Sequence, residues 1–145
     1  MSVSWAGFQG LAVFICGFLL FVACNRMGIA KSKGEIRMMD PKEAVGMVAN
    51  DFAVIVDVRE EDEVRSSGMA AQAQWIPMSK IKGNDKQWLD FLSGVSKDKT
   101  LIFYCAAGGR AGKVASEVAA KGFKAGNMGG FKDWVAAGLP TKKIQ

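Results

Sequence analysis

The sequence predicts an α/β domain, a parallel sheet covered on both faces by helices, preceded by one apolar N-terminal segment of transmembrane or signal type. Three observations predict it. Runs of β-branched and aromatic residues alternate with stretches of helical spacing through most of the chain, the pattern of strand–helix–strand units. Two of those runs, AVIVDV at 53–58 and LIFY at 101–104, lack the apolar–polar alternation of a half-exposed strand and read as strands buried on both faces. Ahead of them, residues 5–24 (WAGFQGLAVFICGFLLFVAC) carry Gln9 as their single conventional polar side chain.

Taken in order, that apolar segment comes first. Twenty residues of helix reach about 30 Å, the thickness of a bilayer's hydrocarbon core. Three readings stay open: a retained single-pass anchor, a lipoprotein signal cleaved before Cys24, and an ordinary secretory signal that exports the domain. Phe21-Val22-Ala23-Cys24 resembles a bacterial lipobox, which makes Cys24 a candidate lipid site. No Lys or Arg precedes the apolar run as in a signal's basic leader, whereas Arg26, Lys31, Lys33 and Arg37 follow it closely. The positive-inside rule therefore favours a membrane anchor with the domain on the cytoplasmic side. Residues 25–35 are polar and glycine-bearing and read as a linker, leaving residues 36–145 for the domain.

Within the domain, Asp40-Pro41-Lys42-Glu43 is a helix start, with an N-cap aspartate, proline at the first helical position and glutamate three residues past the cap. Ala44, Val45, Met47 and Val48 supply its apolar stripe. After the strand at 53–58, the acidic EEDEV reads as a short helix whose charges form a solvated face. Gln74-Trp75-Ile76-Pro77 is a brief strand stopped by proline, and residues 86–95 form a helix carrying Trp88, Leu89, Phe91 and Leu92. The strand at 101–104 leads to a helix at 111–121 with Val114, Ala115, Val118 and Ala119 at helical spacing. Residues 123–128 make a last strand and 131–137 a closing helical turn.

Composition removes several function classes. The chain has 145 residues, one domain plus an extension, with 19 basic and 14 acidic residues and a net charge of +5. No basic stretch is interleaved with aromatics, so nucleic acid is not expected as a partner. Histidine is absent, which excludes Cys-His and Ser-His catalytic pairs and most zinc sites. Of the three cysteines, Cys16 and Cys24 lie in the apolar segment, so Cys105 stands alone in the domain without an internal disulfide partner.

Parallel sheets bind ligands at the carboxyl ends of their strands, and Cys105 ends the 101–104 run there. It is followed by Ala106, Ala107, Gly108, Gly109 and Arg110, then a helix start. Glycines permit a tight curl that points N–H groups inward, the helix terminus adds unpaired amides and its dipole, and Arg110 adds a permanent charge. A thiol at the centre of that cradle has its thiolate favoured and becomes a nucleophile. The competing reading is a packing cysteine at the end of a core strand. Asp57 and Arg59, at the end of the 53–58 strand, read either as a brace for this loop or as an ordinary ion pair.

The domain resembles the rhodanese (sulfurtransferase) family in the Asp-Pro-Lys-Glu helix start, IVDVREEDEV, Ile76-Pro77, YCAAGGRAG at the position of the C-x-x-G-x-R active loop, and GF followed by GGFKDWVAAGLP. The resemblance implies a sheet of about five strands and a two-step transfer. Cys105 takes sulfane sulfur from a donor such as thiosulfate, becomes a persulfide, and yields it to a thiophilic acceptor such as cyanide, a small thiol or a protein. It implies Cys105 and Arg110 as the catalytic pair, the loop from Ala106 to Gly109 as the substrate cradle, and no metal or organic cofactor. Four residues separate Cys105 from Arg110, where cysteine phosphatases and arsenate reductases of similar fold have five. The chain departs from the family with Gly68-Met69 where histidine is common and Ala111 where serine is common. Ala106 and Ala107 give the loop no cation beyond Arg110 with which to hold thiosulfate. The alternative from another class is a non-catalytic binding or scaffold module at the membrane.

Overall fold

The computed structural model describes residues 36–144. The apolar segment 5–24, with Cys16 and Cys24, and the linker 25–35 lie outside the described residues. Along the described chain run β1 (Arg37–Met38), α1 (Pro41–Ala49), β2 (Ala53–Asp57), α2 (Glu61–Ser67), β3 (Met69–Ala70), β4 (Gln74–Trp75), α3 (Met78–Lys82), α4 (Lys86–Gly94), β5 (Thr100–Cys105), α5 (Gly109–Ala120), β6 (Lys124–Gly130), α6 (Phe131–Ala136) and β7 (Thr141–Lys142). Five strands form a parallel sheet in the order β1-β6-β5-β2-β4. β3 and β7 pair antiparallel as a separate ribbon. No helix among the described residues is long and apolar enough to cross a membrane.

Local chemistry accounts for the element starts. Asp40 Oδ1 accepts from the amides of Lys42 (2.8 Å) and Glu43 (3.4 Å), satisfying two of the free donors of α1. Glu43 does not turn back to close a capping box; its carboxylate pairs with Arg37 at 3.0 Å. α5 begins at Gly109, two residues before the start expected from the sequence, so Arg110 lies inside its first turn. The two-residue strands β1, β3 and β7 and the five-residue α3 were not expected from the sequence. They are too short to display a period and are held by pairing and packing.

Side chains of β2 and β5 alternate between two cores. Ile55, Ile102 and Tyr104 face one, with Ala44, Val64, Met128 and Trp134. Val56, Leu101, Phe103 and Cys105 face the other, with Ile76, Ile81, Trp88, Val114 and Val118. One polar cluster interrupts the first core at the carboxyl ends of the strands. Asp57 (0% exposed) and Arg59 (3% exposed) form a buried ion pair at 2.6 Å. Tyr104 Oη donates to the same carboxylate at 2.6 Å and accepts from the Ala70 amide at 3.0 Å. Arg59 donates onward to the Gly68 carbonyl (2.7 Å) and Ser67 Oγ (2.8 Å), with its guanidinium 4.1 Å from the Phe131 ring centre. Burial pulls the Arg59 pKa down, and the Asp57 carboxylate more than reverses that. Burial, followed by the Asp57 charge, pushes the Tyr104 phenol far up, so it stays a donor.

Removing one charge from this cluster strands the other. Asp57→Asn is expected to lower folding stability by about 3–5 kcal/mol, the penalty typical of an uncompensated buried charge. Urea unfolding at neutral pH measures it, and a loss below about 1 kcal/mol would show that Arg59 finds another counter-charge.

Candidate active site

Cys105 is the last residue of β5 and is 2% exposed. From it the chain turns into α5 through Gly108, which adopts the left-handed conformation (φ +89°) at the N-cap. A Cβ at Gly108 would also lie 3.2 Å from the Gly129 Cα, so the turn admits glycine for two reasons. The second expected glycine behaves differently. Gly109 has no positive φ, and a Cβ there meets nothing within 4 Å.

The far side of the loop is held by β6. Phe103 pairs with Asn127 but Cys105 pairs with Gly130, so β6 carries one extra residue at this point, a bulge formed where Gly129 is left-handed. Asn127 Nδ2 donates to the Gly108 carbonyl at 3.1 Å, and its Oδ1 accepts from the Gly129 amide at 2.9 Å. Asn127 thereby ties the active loop to the bulge, a role that sequence reading missed. At Gly130 a Cβ would fall 2.4 Å from the Ala106 carbonyl oxygen, so β6 presses directly on the first loop residue.

The Gly108 amide donates to Cys105 Sγ at 3.1 Å. Burial pushes the thiol's pKa up. The amides of Ala111, Ala107, Arg110 and Gly108 outweigh it, leaving the pKa below the ordinary thiol value. The cradle is thus backbone first. Arg110, expected to present its charge to the site, is held in a bidentate pair by Glu63 of α2, Nη1 to Oε2 and Nη2 to Oε1 at 2.6 Å each. The Glu60 amide also donates to Glu63 Oε2 at 3.0 Å. The Arg110 hydrogen bonds draw the Glu63 pKa down, and Glu63 is the first cause of the raised Arg110 pKa, with a smaller contribution from Cys105. The acidic run expected to be a solvated face therefore supplies a residue of the site. Its first member, Glu60, accepts from the Ser79 amide and hydroxyl.

Ala106, Ala107 and Gly109 are exposed around the buried sulfur and form an uncharged rim. Asp57 meets the loop through Tyr104, the residue before Cys105, and Arg59 reaches Glu63 through Ser67, whose hydroxyl donates to the Glu63 carbonyl at 2.7 Å. Two surface clefts of about 320 and 310 Å³, lined by Val54, Gln74, Phe91 and Lys99 and by Ile36, Met47, Thr100 and Phe123, do not include Cys105.

Two outcomes follow from this geometry. Gly130→Ala must displace the Ala106 carbonyl, so it should slow alkylation of Cys105 about tenfold or more, an effect expected when a site is misplaced by about 1 Å. An unchanged rate would mean that the loop yields at no cost. The thiolate ultraviolet absorbance lost in Cys105→Ser should titrate below the range of ordinary thiols. Because the folded-state pKa is depressed, the stability contributed by the thiolate is full above the ordinary thiol pKa and is lost as pH falls through the folded value. The stability gap between wild type and Cys105→Ser should therefore widen with rising pH; a gap independent of pH would contradict the cradle.

A family model described as "Rhodanese-like domain" matches residues 40–137. A search of curated proteins finds no match. Among solved structures, the chain is similar to a rhodanese-like domain protein from Staphylococcus aureus, at 29% identity over 74% of this chain and 99% of that one, with a TM-score of 0.57. It is similar to the reduced CoADR-RHD of Bacillus anthracis, at 27% identity over 74% of this chain and 18% of that one, with a TM-score of 0.59. A protein of unknown function from Rhodopseudomonas palustris, described as a possible tyrosine phosphatase, is 21% identical over 97% of this chain and 100% of that one, with a TM-score of 0.61, and shares the fold.

Proposed function

The chain belongs to the rhodanese-like domain family, and from that premise we propose that it is a sulfurtransferase carrying sulfane sulfur as a persulfide on Cys105. The observation that carries the reading is the thiol itself, held at the carboxyl end of the central strand with its pKa lowered by four loop and helix amides. In the first half-reaction the thiolate attacks the outer sulfur of the donor. The sulfur–sulfur bond breaks, and the donor's remainder leaves with the electron pair, as sulfite when the donor is thiosulfate. In the second, a thiophilic acceptor such as cyanide or a thiol attacks the outer sulfur of the persulfide and Cys105 leaves as the thiolate. The same amides that favour the thiolate favour the persulfide anion, so the site is matched to both resting forms. Four residues between Cys105 and Arg110 make a small ring suited to one sulfur atom.

On sequence grounds we also propose that residues 5–24 hold the domain at a membrane, with the domain on the cytoplasmic side. The intact mass of the membrane-extracted protein distinguishes an unprocessed chain from a lipid-modified chain that begins at Cys24.

Incubating the protein with thiosulfate or an alkyl hydropersulfide should add one sulfur mass to the peptide containing Cys105. Cys105→Ser should abolish the addition. Steady-state rates with donor and cyanide should show the parallel-line pattern of a ping-pong mechanism. Arg110→Ala should reduce kcat/KM about 10²-fold or more, the scale of losing one preorganised charge-stabilising donor. Absence of the persulfide with every donor would leave a binding module as the reading.

A further inference from the structure

We propose that Glu63 selects the charge of the sulfur donor: by neutralising Arg110 at the rim of the loop, it directs the site toward sulfane-sulfur donors that react in an uncharged form, protonated alkyl hydropersulfides in particular, and away from the dianion thiosulfate. The inference rests on the sulfurtransferase reading above and concerns the same site. Arg110 is the single cation of the loop, since Ala106, Ala107, Gly108 and Gly109 bring none. Both of its terminal nitrogens are bound to the Glu63 carboxylate at 2.6 Å. That carboxylate is itself anchored by the Glu60 amide, so the pair is held from α2 as well as from α5. A second carboxylate, Asp133, accepts from the Gly130 amide at 2.9 Å beside the loop. With the thiolate formed, Cys105, Arg110 and Glu63 together carry a net negative charge, and an approaching dianion meets repulsion that a protonated hydropersulfide does not.

The Glu63 carboxylate takes two of the five guanidinium N–H donors and cancels the charge that would draw a sulfonate to the others. A protonated alkyl hydropersulfide does not depend on that attraction. The Cys105 thiolate attacks its terminal sulfur, the sulfur–sulfur bond breaks, and the departing alkyl thiolate takes the electron pair and the terminal proton. The products are the Cys105 persulfide anion and a free thiol. Glu63 touches neither reacting sulfur; it is a positioning residue acting through Arg110.

The test compares full-length wild type, Glu63→Gln and Glu63→Ala in single-turnover loading of Cys105, read by intact mass. The donors are thiosulfate and the hydropersulfide of 2-mercaptoethanol, each at low and high ionic strength. Freeing the guanidinium should raise the second-order loading rate for thiosulfate about tenfold, mainly through a lower half-saturating concentration, while the rate per protonated hydropersulfide changes less than about twofold; about 0.5 M salt should erase most of the difference. A structural effect of the substitution moves both donors by the same factor and is insensitive to salt, and that result overturns the inference. Glu63→Ala decides the case if Glu63→Gln fails to fold. Loading that occurs with an unchanged donor ratio sinks this inference alone, whereas no loading by either donor in wild type sinks the sulfurtransferase reading and this inference with it.

Discussion

Neighbouring residues of a strand point to opposite faces of its sheet, and at the end of β5 this alternation sends Tyr104 to one core and Cys105 to the other. The arrangement of the site depends on it. On the first face Tyr104 is fastened to Asp57, and through Asp57 to Arg59, Gly68 and Ser67. On the second, the sulfur faces the first turn of α5. A slip of one residue in β5 would place the phenol beneath the loop and the thiol in the polar cluster, so the buried ion pair also fixes the strand's register.

The thiol is activated by backbone dipoles. Its surroundings are apolar: Phe103, Ala111 and Val114 belong to the same core. Such surroundings alone would hold it protonated, but the amides of the turn and of the α5 start converge on it, and these donors need no reorganisation when charge appears. Arg110 has a different position. Fastened to Glu63, it braces α5 against α2, while the exposed alanines leave the approach to the sulfur free of charge. The site thus pairs a strong internal preference for negative charge on sulfur with little external attraction for anions.

Much of this was legible in the chain. The long buried runs at 53–58 and 101–104 identify the central strands because continuous apolar patterning has few alternative explanations, and the sequence YCAAGGRAG identifies the loop through residue types with specific backbone roles. The sequence placed the start of α5 two residues late because glycine is a poor helix former, yet Gly109 is helical behind the Gly108 turn. Glu63 and Asn127 were missed for another reason. Glu63 lies 47 positions from Arg110, in a run of four acidic residues that resembles a solvated helix face. Asn127 lies in a glycine-rich strand with no chemical signature, and its role depends on a bulge that only the pairing of β5 with β6 reveals. Such contacts belong to topology, which local patterning does not encode.

The ribbon of β3 and β7 gives the fold a temporal consequence. Gly68, whose carbonyl receives Arg59, sits against Lys142; the Ala71 amide and Trp134 Nε1 both donate to the Pro140 carbonyl. The polar cluster and the core around Trp134 are therefore closed by residues that a ribosome delivers at the end of this stretch, about seventy positions after the strand they cover. Until they emerge, Arg59 has its counter-ion but lacks part of its shelter from water. Contacts that close the centre thus join segments far apart in the chain, a long-range pairing of the kind that slows folding.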